Sequence, residues 1–156
     1  MSIEGEILIR RPLDEVFDYV ADERHEPAFN PRMTNVEKLT GGPIGAGTRF
    51  RATTTTMGRE LEMTIEYTVY ERPRTLGSRT TMVSAETVGT LTFSPDPRGT
   101  WMHWSWEVRP KHGARMLRPL IELVGRRQEK RIWQGLRRRL EAEATGTGDA
   151  TAARDD

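Results

Sequence analysis

The stretch 61-LEMTIEYTV-69 puts Leu61, Met63, Ile65, Tyr67 and Val69 on one side and Glu62, Thr64, Glu66 and Thr68 on the other. This alternation is the period of a strand with one face buried and one in water. The same period recurs outward from it. Upstream, Gly58 closes a Thr-, Arg- and Phe-rich run over residues 48–57, a β composition, and Val36 and Leu39 mark a short strand that ends in the turn-rich 41-GGPIGAG-47. Downstream, residues 76–84, 87–94 and 102–108 read as strands. The last two are joined by 95-PDPRG-99, where proline presets φ and glycine accepts a positive one.

The two ends of the chain change texture. Ile3, Ile7 and Ile9 form an amphipathic strand with Glu4, Glu6 and Arg10 opposite. Pro12 then opens a helix carrying Leu13, Val16, Phe17 and Val20, with Asp14 and Glu15 placed to suit its dipole. Asp22 caps a second short helix that must stop near Asn30-Pro31, because a residue before proline avoids the α region. Beyond Pro110 and Gly113, the spacings of Met116, Leu120, Val124, Ile132, Leu136 and Leu140 predict one helix over residues 115–144, about 45 Å long at 1.5 Å per residue. Residues 145–156 hold almost no large apolar side chain and read as a disordered tail behind a single domain over 1–144.

Composition narrows the chemistry. At 156 residues with 35% hydrophobic content, the chain suits one domain with a modest core. It has no cysteine, which removes disulfides and thiolate chemistry, and His25, His103 and His112 fit no ligand spacing, so no metal or cofactor is expected. The acidic residues at the start, and the lack of any apolar run of membrane-spanning length, make a cytoplasmic location the expectation.

One strand, two short helices, six further strands and a long terminal helix is an α+β order with a curved antiparallel sheet of about seven strands. The segments 9-IRRPLDEVFDYV-20, 45-GAGTRF-50 and 99-GTWMHW-104 resemble the START/Bet v 1-like (SRPBCC) superfamily, in its polyketide cyclase/dehydrase-like branch. The likeness extends over about residues 3–143, with Phe29 where a tryptophan is usual. It implies a helix-grip fold, the sheet wrapped around the C-terminal helix with a hydrophobic cavity between them. Members range from lipid and hormone carriers to aromatase/cyclases, and fold alone does not choose among them.

On this reading the cavity is lined by Met63, Ile65, Tyr67, Met82, Leu91, Phe93, Met102, Trp104 and Trp106 from the sheet, and by Met116, Leu120 and Val124 from the helix. The competing reading is that these side chains simply fill a core. Tyr67 brings a hydroxyl inward, to be met by a ligand or by a backbone carbonyl. His25, Glu26 and Asn30 cluster near the expected mouth, but neighbours on a helix diverge by about 100°, so His25 and Glu26 cannot both face inward. His103 falls on the outer side of its strand. No nucleophile elbow is present, and 41-GGPIGAG-47 leads into a strand rather than a helix, so it is a turn and not a phosphate cradle.

Charge is unevenly spread. Residues 109–139 hold eleven bases against Glu122 and Glu129, although the net charge of the chain is only +1. Arg126, Arg127, Lys130, Arg131, Arg137, Arg138 and Arg139, with Trp133 among them, could meet anionic lipid or a nucleic-acid backbone. Against that, arginine dominates the basic residues throughout, and a charged outer helix face is ordinary. The expected partner is therefore a small hydrophobic, lipid- or polyketide-like molecule, specified mainly by cavity shape with few polar groups to orient it. A cyclase/dehydratase-type activity is the alternative, with no catalytic residue identified. Membrane-surface binding through the basic helix is the second alternative, and nucleic acid is the weakest candidate.

Overall fold

The computed structural model describes residues 2–111 and 118–152. Seven strands form one antiparallel sheet: β1 (Ser2–Ile9), β2 (Met33–Lys38), β3 (Arg49–Thr56), β4 (Arg59–Glu71), β5 (Thr75–Met82), β6 (Ala85–Asp96) and β7 (Gly99–Pro110). Their order across the sheet is β1-β7-β6-β5-β4-β3-β2, so β2 to β7 form a continuous meander while β1 pairs with β7 at the far margin. The helix α1 (Leu13–Ala21) and a 3-10 helix (Glu23–Ala28) carry the chain from the β1 margin to the β2 margin. The expected sequence of elements is therefore present, and α2 (Arg118–Ala152) follows β7.

The alternation of β4 decides which face is covered. Ile65 and Tyr67 are buried, as are Leu91, Phe93, Met102 and Trp104 on neighbouring strands, and together they form the sheet's share of the core. Between Tyr67 and Val69 the register against β5 slips. Such an irregularity bends the strand and increases its twist, which helps the sheet curve around what it covers. Phe17 of α1 closes one end of the sheet, with its ring edge-on to Tyr70 and Phe93 at centroid distances of 5.3 and 5.2 Å.

α2 rests on the margins of the sheet. Among the described side chains of α2, the buried ones are Trp133, Leu136 and Leu140. A Cβ on Gly125 would stand 2.7 Å from Cδ1 of Ile3, and one on Gly135 would stand 2.6 Å from the carbonyl oxygen of Phe29. The absence of side chains at these two positions lets the helix touch β1 on one side and the segment leading into β2 on the other. At its C-terminal end α2 reaches Ala152, into the segment that composition suggests is a tail. Helical hydrogen bonding needs no apolar side chain, and Ala144, Ala150 and Ala152 are good helix formers.

Candidate functional site

The interior between sheet and helix is more polar than its apolar lining suggests. Tyr67, only 1% exposed, donates its hydroxyl hydrogen to the carbonyl of Ala21 at 2.6 Å and stands 3.1 Å from Oε1 of Glu23. Asp22 starts the 3-10 helix by accepting from the backbone N–H of Arg24, and this winding turns Glu23 and Glu26 toward the interior together. Burial, and then the charge of Glu26, push the Glu23 carboxyl well above the usual range. Asn30, itself buried, donates from Nδ2 to Oε1 of Glu26 at 2.8 Å. Burial also raises the Tyr67 phenol.

Glu129 enters this space from α2. Trp106 of β7 and Trp133 of α2 both donate their indole N–H to its Oε2, at 3.1 and 2.9 Å. Burial pushes its carboxyl up to about 7, the two indole bonds oppose that rise, and the charge of Glu26 adds to it. Among the described residues, no fully buried side-chain oxygen or nitrogen lacks a partner. Oε1 of Glu129 has no hydrogen-bond partner among the described residues and is not fully buried. Glu23, Glu26 and Glu129 are each partly buried.

Among the described residues, β1 is the strand that α2 approaches most closely. Over the middle strands the separation is bridged by long side chains, Trp104 and Trp133 meeting at a centroid distance of 6.1 Å. Outside it, an open groove of ≈ 600 Å³ lies between β1 and α2, with Trp104 in its wall beside Glu4, Gly5, Glu6, Arg126 and Lys130.

Ile65, Tyr67, Leu91, Phe93, Met102 and Trp104 are buried where the sequence places them, and Met63, Met82 and Trp106 are half-buried. Val124 requires correction: it is 44% exposed, about 120° around the helix from Leu136 at 3.6 residues per turn. The inward stripe is instead Gly125, Glu129, Ile132, Trp133, Leu136 and Leu140. Met116 lies outside the described residues, as does the side chain of Leu120. His25 and Glu26 part as their geometry requires: His25 stacks on Tyr19 at 4.3 Å and bonds its carbonyl through Nδ1, while Glu26 joins the interior carboxylates. His103 is exposed on the outer face. Trp133 is no surface aromatic, being 7% exposed. The expectation of few orienting polar groups is also corrected, because Glu23 and Glu129 pass on charge alone for solvated residues. The available signal for Glu129 was its position four residues from both Gly125 and Trp133, on the face that ends in Leu136 and Leu140. Among the described residues no group of acids and histidines is placed to hold a metal, and no helix is long and apolar enough to cross a membrane.

Comparison with known proteins follows from this architecture. Residues 1–143 match the family model described as polyketide cyclase / dehydrase and lipid transport. A Thermus thermophilus protein superposes with a TM-score of 0.79 at 18% identity, over 92% of this chain and 99% of that one. A START superfamily protein from Mycobacterium smegmatis gives 0.77 at 12% identity, over 90% and 97%. The Zhui aromatase/cyclase of Streptomyces sp. R1128 gives 0.68 at 17% identity, over 88% and 94%. At these identities the likeness is one of fold. The search of curated proteins returned no match.

Proposed function

Starting from the fact that the chain belongs to the polyketide cyclase/dehydrase and lipid transport family, we propose that it binds a small hydrophobic molecule, lipid- or polyketide-like, in the gap between sheet and α2. The observation that supports this reading is Oε1 of Glu129, a carboxyl oxygen between sheet and helix that has no hydrogen-bond partner among the described residues. The apolar part of the ligand lies against Met63, Ile65, Trp104 and Trp106, where each Å² taken from water contributes ~25 cal/mol. Its polar end meets Glu129, Glu26 and Glu23. A neutral Glu129 donates to a carbonyl or hydroxyl oxygen, so the site favours a ligand carrying such a group over one that is hydrocarbon throughout.

Native mass spectrometry of the purified chain, repeated after denaturing extraction, tests the reading. A released molecule of several hundred daltons is the expected result. A ligand-free chain whose tryptophan fluorescence also ignores added 1-anilinonaphthalene-8-sulfonate would overturn it.

The same atom supports a second reading, a cyclase/dehydratase-type enzyme. A carboxyl that titrates near neutrality, fixed through one oxygen and open at the other, has the form of a general acid. Turnover lost in Glu129→Gln with ligand binding retained is the result this reading requires.

A further inference from the structure

The outer face of α2 has a composition that the interior site does not use. From Leu123 to Arg139 the exposed residues are two apolar side chains, Leu123 and Val124, followed only by bases. Arg126 pairs with Glu122 and Arg139 with Glu143. Arg126 and Lys130 flank the groove in which Glu4 and Glu6 stand. Arg127, Arg131 and Arg138 lie along the middle of the face, at helical spacing after Leu123 and Val124, and make no ion pair among the described residues.

The apolar end of this stripe has company. Gly125 packs on Ile3 near the start of β1, which pairs with the end of β7, and Ala85 pairs with Pro110 at that same end of the sheet. The β5–β6 turn there carries Val83, 87% exposed, and the longer β3–β4 hairpin reaches further in that direction to Met57, 98% exposed. Exposed apolar residues Leu123 and Val124 at the head of an unpaired basic stripe match a surface that offers hydrocarbon beneath negative charge.

We propose that the outer face of α2 docks on an anionic lipid bilayer, with Arg127, Arg131 and Arg138 at the headgroups and Leu123 and Val124 dipping beneath them. The chemistry favours lipid over nucleic acid. The face exposes no aromatic side chain for base stacking, since Trp133 is turned inward, and its two leading residues are aliphatic. The docking is independent of what the interior holds.

The test is co-sedimentation of the full chain with vesicles of phosphatidylcholine alone and of an equimolar mixture with phosphatidylglycerol. Binding to the mixed vesicles only, weakening steeply as salt is added, is expected. Each base near an anionic surface is worth about fivefold in affinity, so Arg127→Gln, Arg131→Gln and Arg138→Gln together lower binding about a hundredfold. The circular dichroism and melting temperature of this variant stay as in the parent, since glutamine keeps the helix and the three positions are not core. Leu123→Ser with Val124→Ser weakens binding while leaving its salt dependence. Equal binding to neutral vesicles, no binding to the mixed ones, or an unchanged affinity in the folded triple variant would each overturn the proposal. So would retention of single-stranded RNA under conditions where the mixed vesicles are ignored.

Discussion

Trp106 and Trp133 deliver their indole N–H groups to one and the same oxygen of Glu129, from opposite sides of the interior. The remaining oxygen is where a proton resides when the group is neutral. This ties a strand, a helix and a titrating carboxyl into one unit, and the predictions below begin from it.

Stability should fall as pH rises from about 4.5 to about 7. Glu129 has its carboxyl raised to about 7 in the fold, whereas in the unfolded chain it titrates in the ordinary range near 4.5. Between those values the folded state holds a proton that the unfolded state has released, so the contribution is complete below the lower value and lost above the upper one. The loss is about 3 kcal/mol at 1.36 kcal/mol per unit of pKa. Glu129→Gln keeps an oxygen for both indoles and cannot ionise. Urea titrations at pH 5 and pH 8 should show a smaller drop in the variant than in the parent, and an identical drop would refute the assignment.

Tyr67→Phe should destabilise the fold by about 1–3 kcal/mol, the cost of leaving a buried acceptor unmet. The affected acceptors are the Ala21 carbonyl and Glu23. Equilibrium denaturation reads this directly. A change within a few tenths of a kcal/mol would mean that water replaces the hydroxyl.

The two faces of α2 should respond oppositely to substitution. Leu136→Ala removes a fully buried side chain and should cost about 2–5 kcal/mol. Val124→Ser alters an exposed position and should stay within about 0.5 kcal/mol. Thermal melts of the pair decide which stripe of the helix faces the sheet.

Two glycine replacements should also separate. Alanine is favoured over glycine in a helix interior by about 1 kcal/mol. At Gly125 the new methyl meets only the tip of Ile3, which can rotate away, so Gly125→Ala should be near neutral or mildly stabilising. At Gly135 it meets a backbone carbonyl that must move, so Gly135→Ala should destabilise. Equal melting temperatures for the two variants would contradict this contact geometry.

The strands were legible because a half-covered sheet imposes period two on its sequence, as 61-LEMTIEYTV-69 illustrates. The short helices were legible from Pro12, Asp22 and Asn30-Pro31. The orientation of α2 was not. Its inward stripe contains Gly125 and Glu129, which a search for apolar spacing passes over, whereas Met116, Leu120 and Val124 continue an apolar spacing along another line. The interior carboxylates stayed hidden for a related reason. Burying an acid is favourable only when partners meet it, and the partners of Glu23 and Glu129 come from residues 44 and 23 positions away, distances no local pattern records.

α2 is fastened at both rims of the sheet, through Gly125 on Ile3 and Gly135 on Phe29, and between them by the buried Trp133, Leu136 and Leu140. If a guest binds as proposed, side chains such as Met63 and Met82 can be exchanged to change which one is accommodated, while these fastenings of α2 are left as they were. An architecture divided in this way can retain its shape through long sequence drift while its chemical preferences are rewritten from within.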